Sequence, residues 1–171
     1  TGILALQSDG TFRGDLFRLS GGQTLGGAYR APTGSSTLAT ALLTLTSSTA
    51  GSLRVQLAAD GSSSTVPIER FAFASPAGSP PATGFQNGIW WNASESGRGF
   101  FIESQGRQVV ISSYMYDAAG RPQWYSTVAT LRGDGVTAVG PMLQFTGGQA
   151  LGGAYKAPVS GGSAGTLTFV A

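Results

Sequence analysis

Two glutamates with an arginine between them, Glu95, Arg98 and Glu103, are the residues of this chain best suited to chemistry. Paired carboxylates serve as acid and base in glycoside hydrolysis when they face each other across a cleft. One loop is a poor source for both groups, however, and an arginine beside a carboxylate often pins a loop through an ion pair. We therefore predict structural pinning at Glu95 and Arg98, with contact to a ligand as the alternative, and no enzymatic activity.

The chain has no His and no Cys, which removes imidazole catalysis, thiolate chemistry and disulfides. Asp117 could supply one Ca²⁺ ligand, but no series of alternating acidic residues accompanies it, so a tight turn is the better interpretation. The glycine-rich segments lack the Lys-Ser/Thr that follows the glycines of a phosphate loop. We predict no metal and no cofactor.

Aromatic residues cluster in the same part of the chain. Successive strand residues point to opposite faces, so we expect one of Trp90 and Trp91 to face the interior and the other the solvent. An outward Trp could stack on a sugar or seat a partner, and ordinary core packing is the alternative. The candidate contacts with a ligand or partner are Trp90, Trp91, Tyr116, Trp124, Tyr125, Glu95 and Arg98.

Thirteen residues near the start of the chain return near its end. Residues 20–32 read SGGQTLGGAYRAP and residues 146–158 read TGGQALGGAYKAP, with ten identical positions and a spacing of 126 residues. That spacing is the size of one small domain. We expect the glycines to supply positive φ at a bulge or turn. The motif residues are Gly21, Gly22, Gln23, Gly26, Gly27 and Tyr29 in the first copy, and Gly147, Gly148, Gln149, Gly152, Gly153 and Tyr155 in the second.

The elements that must position these residues are short strands separated by turns, with hardly any helix signal. Alternation over residues 52–58 places Leu53, Val55 and Leu57 on one face. Aligning the two copies predicts a repeat unit of about eight antiparallel strands, the number that closes a small barrel. The fold class is therefore all-β, with a barrel as the expected architecture and a two-sheet sandwich as the alternative.

The repeat spacing divides the chain into two partial units. Residues 1–75 are the rear part of one unit, 76–87 a Pro/Gly linker, and 88–171 the front part of the next. Each part would leave an unpaired sheet edge. Three outcomes are open: residues 88–126 complete the first part as a permuted barrel, neighbouring chains complete each other as a filament, or the chain is a piece of a longer array.

Composition points to the outside of the cell. Charged residues make up 11% of the chain, against roughly 25% in typical soluble domains. The net charge is +2 and the arginines are scattered, which argues against nucleic-acid binding. No apolar run reaches the roughly 18 residues that cross a bilayer, so we predict no membrane insertion. The Gly-rich, weakly charged composition and the start at Thr1 without Met favour a secreted or cell-surface protein.

Four segments carry a resemblance to known proteins: IERF (68–71), GIWWNASESGRGFFIESQG (88–106), YMYDAAGRPQWY (114–125) and GGQALGGAYKAP (147–158). They resemble a tandem repeat of secreted proteobacterial proteins. The resemblance implies a secreted β domain used in tandem, and it brings no catalytic residues with it. The chain departs from the pattern in its cut point, which leaves no intact unit.

We therefore expect an extracellular structural β-repeat protein that is not an enzyme. Its predicted partners are copies of itself, joined by β-strand complementation between partial repeats. In the most specific form of this prediction, the copies assemble into a filament. The alternative is a ligand-binding barrel for a sugar or a small apolar molecule, which includes contact with a glycan or a cell surface.

Overall fold

The computed structural model describes residues 1–76, 79–82, 84 and 86–171. Within these ranges the chain forms eleven β-strands and no helix, so the all-β prediction is confirmed. The strands are β1 (Ala5–Leu6), β2 (Phe12–Ser20), β3 (Gly34–Leu45), β4 (Ala50–Leu57), β5 (Ser63–Glu69), β6 (Gly88–Trp90), β7 (Gly99–Gln105), β8 (Gln108–Tyr116), β9 (Pro122–Thr130), β10 (Thr137–Thr146) and β11 (Val159–Val170).

The strands form two antiparallel sheets, each built from consecutive strands. The first sheet has the order β1-β2-β3-β4-β5, and the second has the order β11-β10-β9-β8-β7-β6. Within each sheet, every strand thus pairs with its neighbours in sequence. Most connections are short turns, whereas β2 to β3 and β10 to β11 are joined by longer loops. Among the described residues, no helix is long and apolar enough to cross a membrane.

Neither sheet closes into the barrel that the sequence led us to expect, and the two sheets are consistent with the alternative, a sandwich. The strands of residues 88–116 do not complete the first sheet, because β8 pairs with β9 along its full length. The first sheet has five strands and the second has six. The outermost strands β1 and β6 have only two and three residues, which is too short to close either sheet.

The first sheet has one apolar and one polar face, as the alternation over residues 52–58 predicts. Leu53, Val55 and Leu57 lie opposite Leu43, Ala41 and Ala39. Ala39, Ala41 and Val55 are buried. Arg54 and Gln56 point to the other face, where they line a shallow groove with Arg13 and Thr40.

The second sheet carries two apolar clusters. One cluster consists of Val109, Ile111, Leu131 and Ala138, and the other of Met115, Tyr125 and Met142. Met115, Tyr125 and Met142 come from the neighbouring strands β8, β9 and β10, and Phe100 of β7 and Leu167 of β11 pack against them. The apolar side chains of five neighbouring strands therefore pack on one another.

The predicted linker, residues 76–87, includes residues 77, 78, 83 and 85, which lie outside the described residues. Parts of the rest are bound to the second sheet. The amide of Ala82 donates to the carbonyl of Gly106 at 2.9 Å. Asn87 accepts a hydrogen bond from the Ser104 amide at 2.8 Å and donates to the Ser104 carbonyl at 3.3 Å. These contacts tie the linker to the end of β7.

Candidate functional site

The first copy of the repeat joins the two sheets. It forms the loop between β2 and β3, which we call docking loop 1 (residues 20–32), and it lies on the end of the β8–β9 hairpin. The Gly21 amide donates to the Gly120 carbonyl at 2.8 Å, and the Tyr116 amide donates to the Gln23 carbonyl at 3.0 Å. We call the surface that receives this loop the seat; its residues are Met115, Tyr116, Gly120, Tyr125 and Met142.

Docking loop 1 covers the hairpin end on both faces. Gly22 lies so close to the ring of Tyr116 that a Cβ there would overlap the ring, and Tyr116 is only 4% exposed. Leu25 packs against the cluster that contains Met115 and Tyr125. Because the adjacent residues Met115 and Tyr116 point to opposite faces of β8, the loop contacts both faces of this strand.

The loop holds its own shape through internal hydrogen bonds and two glycines. Gly21 and Gly26 have φ of +79° and +69°, the left-handed region that glycine adopts without steric cost. The side-chain amide of Gln23 donates to the Gly27 carbonyl at 2.9 Å, and the Gly27 amide donates to the Thr24 carbonyl at 3.1 Å. The glycines thus supply positive φ, as the sequence predicts.

The second copy, docking loop 2 (residues 146–158), connects β10 to β11 and has the same internal structure. Gly147 and Gly152 have φ of +67° and +76°. Gln149 donates to the Gly153 carbonyl at 2.8 Å. This loop is exposed throughout, with Gly152 beside Leu57 of the first sheet.

A second junction joins the sheets at the segment after β5. The side chain of Gln105, which is buried, accepts a hydrogen bond from the Phe73 amide at 3.1 Å and donates to the Phe71 carbonyl at 2.9 Å. Arg70 forms an ion pair with Glu103 at 2.6 Å. Glu103, a candidate catalytic carboxylate in the sequence, therefore neutralises an arginine in a structural contact.

The other glutamate is held in the same way. Glu95 forms an ion pair with Arg98 in the loop after β6, and the Arg98 guanidinium lies 6.0 Å from the centre of the Phe100 ring. The two carboxylates thus have separate arginine partners. An ion pair between a carboxylate and an arginine is the interaction that can pin a loop.

The loop that carries Glu95 and Arg98 also supports docking loop 1. The hydroxyls of Tyr29 and Ser96 share a hydrogen bond of 3.3 Å. Gly97 lies against Pro32, so closely that a Cβ would overlap the proline ring. The segment that carries the charged motif therefore packs beside docking loop 1.

The structure places some of the predicted aromatic residues in solvent and buries others. Trp90 and Trp91 are 45% and 62% exposed, so the expectation that one of them faces the interior is wrong. The reason is that β6 is the outermost strand and ends at Trp90, which leaves Trp91 beyond the sheet. Tyr116 and Tyr125 are buried in the seat, and burial raises the pKa of the Tyr116 hydroxyl.

Trp124 belongs to an exposed aromatic row that the sequence only partly indicates. It pairs in register with Tyr114 of β8, and its indole stacks on Phe145 with ring centres 6.0 Å apart. Tyr114 and Trp124 are both about half exposed. We call Tyr114, Trp124 and Phe145 the aromatic row. The sequence indicates that Tyr114 belongs to this row, because Tyr114 lies opposite Trp124 across the turn between β8 and β9. No sequence pattern indicates Phe145.

Leu25 and Gly120 belong to the docking contact but were not among the predicted site residues. Leu25 supplies the apolar contact of docking loop 1, and Gly120 supplies the carbonyl that receives its amide hydrogen bond. The signal for Leu25 was available, since both copies of the motif carry a leucine between their glycine pairs. Gly120 could be recognised only from the contact itself.

The turn that carries Gly120 is held by Asp117. Its carboxylate accepts hydrogen bonds from the Arg121 and Ala119 amides, both at 2.9 Å, and pairs with the Arg121 guanidinium at 2.7 Å. The hydrogen bonds from Arg121 hold the pKa of Asp117 below its ordinary value. Among the described residues, no group of three or more His, Cys, Asp or Glu is arranged to hold a metal ion.

No family model, curated protein or solved structure matches this chain.

Replacing Gly22 by alanine tests the docking contact, with Gly148 as the matched control. Neither glycine has a positive φ, so alanine strains neither backbone. At Gly22 the new methyl group overlaps the Tyr116 ring, and we expect Gly22→Ala to lower the free energy of unfolding by about 1–3 kcal/mol. At Gly148 the methyl group meets Pro158 at an ordinary 3.4 Å, so a change below about 0.5 kcal/mol is expected. Urea unfolding followed by fluorescence measures both, and equal effects would contradict the docking geometry.

Asp117 should make the stability depend on pH. A carboxyl with a lowered pKa in the folded state stabilises the fold above its unfolded pKa of about 3.9 and loses that contribution as the pH falls through the folded value. Asp117→Asn removes the charge, so its stability should decline less than that of the wild type between about pH 5 and pH 2.5. Thermal unfolding at a series of pH values measures the difference. Asp9, Asp60 and Asp134 also have lowered pKa values and act equally in both proteins. Parallel pH profiles would refute a role for Asp117.

Proposed function

We propose that this chain is a structural β-repeat module of a secreted or cell-surface protein, and that it acts by linking sheets and chains rather than by catalysis. The observation that carries this proposal is the junction at docking loop 1, where a repeated motif fills the end of another sheet on both faces. Low charge and the resemblance to secreted tandem repeats support an extracellular location.

The side chains best suited to chemistry form ion pairs and hydrogen bonds within these junctions. Glu103 pairs with Arg70 between the sheets, and Glu95 pairs with Arg98 in the loop that supports docking loop 1. The side-chain amide of Gln105 forms hydrogen bonds with the backbone of residues 71 and 73. Polar groups that bond to each other within the protein strengthen a scaffold, and this supports a function without turnover.

Copies of the chain associate, in this proposal, by pairing strands at a sheet edge. Edges that natural proteins protect are short or carry Pro and charge. β1 and β6 are short, and β5 contains Pro67 and Glu69. β11 is the outermost strand of the second sheet, has twelve residues and contains neither Pro nor charge. It has register shifts near docking loop 2, whereas residues 166–170 pair regularly with β10, so this regular half is the proposed pairing edge.

A lysine on β11 tests strand pairing. We expect the wild type to associate as its concentration rises from about 1 to 100 µM, and Thr168→Lys to stay monomeric, because a charge on an edge strand opposes pairing. Ser35→Lys adds the same charge to an exposed site of β3 and should associate like the wild type. Sedimentation velocity measures all three. A wild type that remains monomeric over this range would reject assembly through β11.

The aromatic row favours a second candidate function, binding of a glycan. Exposed rings in one row offer flat apolar faces, and their hydroxyl and N–H groups remain free to face water. Tyr114 and Trp124 lie side by side in register, and Phe145 extends the row. In this candidate function, the row is a platform for the faces of consecutive sugar rings.

Trp124→Ala tests this platform, with Trp91→Ala as the control, since Trp91 is exposed but lies outside the row. Binding would be measured by pull-down on insoluble cellulose, chitin and peptidoglycan, and by fluorescence titration with their soluble oligosaccharides. Loss of about tenfold in affinity for Trp124→Ala alone is expected, because one stacked ring contributes on the order of 1 kcal/mol or more. If no glycan binds the wild type, the platform has no ligand of this class.

A further inference from the structure

Docking loop 2 leaves more exposed the side chains that docking loop 1 places against the second sheet. Leu151 is 45% exposed where its counterpart Leu25 is partly buried, and Tyr155 is 83% exposed where its counterpart Tyr29 is 44% exposed. Gln149 is exposed, whereas its counterpart Gln23 is buried. The same element thus occurs once in a seat and once in solvent.

The undocked loop already has the docked shape. Gln149 donates to the Gly153 carbonyl at 2.8 Å, as Gln23 does to Gly27 at 2.9 Å. The Gly153 amide donates to the Ala150 carbonyl at 3.0 Å, which matches the bond within docking loop 1. A segment that is ordered before it binds loses little conformational freedom on binding, so docking loop 2 is prepared for a seat.

The groups that contact the seat are all present in docking loop 2. Two of the contacts of docking loop 1 come from the backbone, at the Gly21 amide and the Gln23 carbonyl, and any side chain preserves them. Gly148 provides the space that the Tyr116 ring requires, and Leu151 provides the apolar side chain. Three positions differ between the copies: Ser20/Thr146 and Arg30/Lys156 are conservative, and at Thr24/Ala150 the contact with Tyr116 is a backbone bridge.

We propose that docking loop 2 is a second plug, which docks in the seat of another copy of this chain. In each chain the seat is occupied by its own docking loop 1, and a segment of the same chain has a large advantage in effective concentration. The contact between copies therefore forms when docking loop 1 leaves the seat. Loop and seat are different surfaces, so their contact is heterologous and joins copies head to tail. This contact uses neither β11 nor the aromatic row, so it goes beyond the function proposed above.

The test vacates the seat and asks whether docking loop 2 of another chain fills it. All variants carry Thr168→Lys, so that pairing through β11 does not contribute. Gly22→Val places a branched side chain where the Tyr116 ring lies and expels docking loop 1. The weight-average mass of this variant, measured by sedimentation at about 100 µM, should rise to roughly twice that of the monomer or more, because a head-to-tail contact need not stop at the dimer.

The double variant Gly22→Val/Gly148→Val is the matched control. It has the same vacated, apolar seat but no competent plug, so it should remain monomeric. If it associates as strongly as Gly22→Val, the association comes from the bare seat and the proposal is overturned. Gly148→Val alone should be monomeric and as stable as its parent, since docking loop 2 is undocked in the free chain.

A second route keeps the test valid if Gly22→Val does not fold. Leu25→Asp removes the apolar contact of docking loop 1 without adding bulk against Tyr116, and Leu151→Asp is its counterpart in the plug. Leu25→Asp should associate and Leu25→Asp/Leu151→Asp should not. A synthetic peptide with the sequence of residues 146–158 should compete and return the Leu25→Asp variant to monomers. A folded Leu25→Asp variant that stays monomeric at about 100 µM, with no effect of the peptide, would overturn the proposal.

Discussion

The fit of a loop without side chains against the ring of Tyr116 is the constraint on which the junction between the two sheets depends. Gly22 lies where any Cβ would overlap that ring. Only this close approach lets the Gly21 amide reach Gly120 and the Gln23 carbonyl reach the Tyr116 amide. Leu25 then enters the cluster on the opposite face of the hairpin. A single atom at one position therefore decides whether docking loop 1 can form its junction, which is one of two between the sheets.

The second sheet can offer this seat because its apolar cluster of Met115, Tyr125 and Met142 lies next to the end of the β8–β9 hairpin. Phe100 and Leu167 of the same sheet cover part of this cluster. Leu25 of docking loop 1 packs against it from the other sheet. The Asp117 turn completes the seat by holding the Gly120 carbonyl in place.

The charged residues serve the same architecture. Few charges occur in this chain, and those in the candidate site are neutralised locally by Arg70 and Arg98. The motif that reads as paired carboxylates in the sequence thus becomes two structural ion pairs at two different junctions. A weakly charged surface opposes association little, which suits the proposed assembly of like modules.

The sequence by itself determined the strands, the turns and the internal shape of both docking loops. Alternation, glycine placement and short-range hydrogen bonding are local properties, so Leu53, Val55 and Leu57 share a face as predicted, and both copies of the motif adopt one conformation. Only the tertiary structure decided that the sheets stay open, that Trp90 and Trp91 are both exposed, and that Gly22 and Gln23 of one motif copy are buried while their counterparts in the other copy are exposed. Two nearly identical segments carry the same local information, and their environments differ because docking loop 1 lies on Tyr116 and docking loop 2 does not.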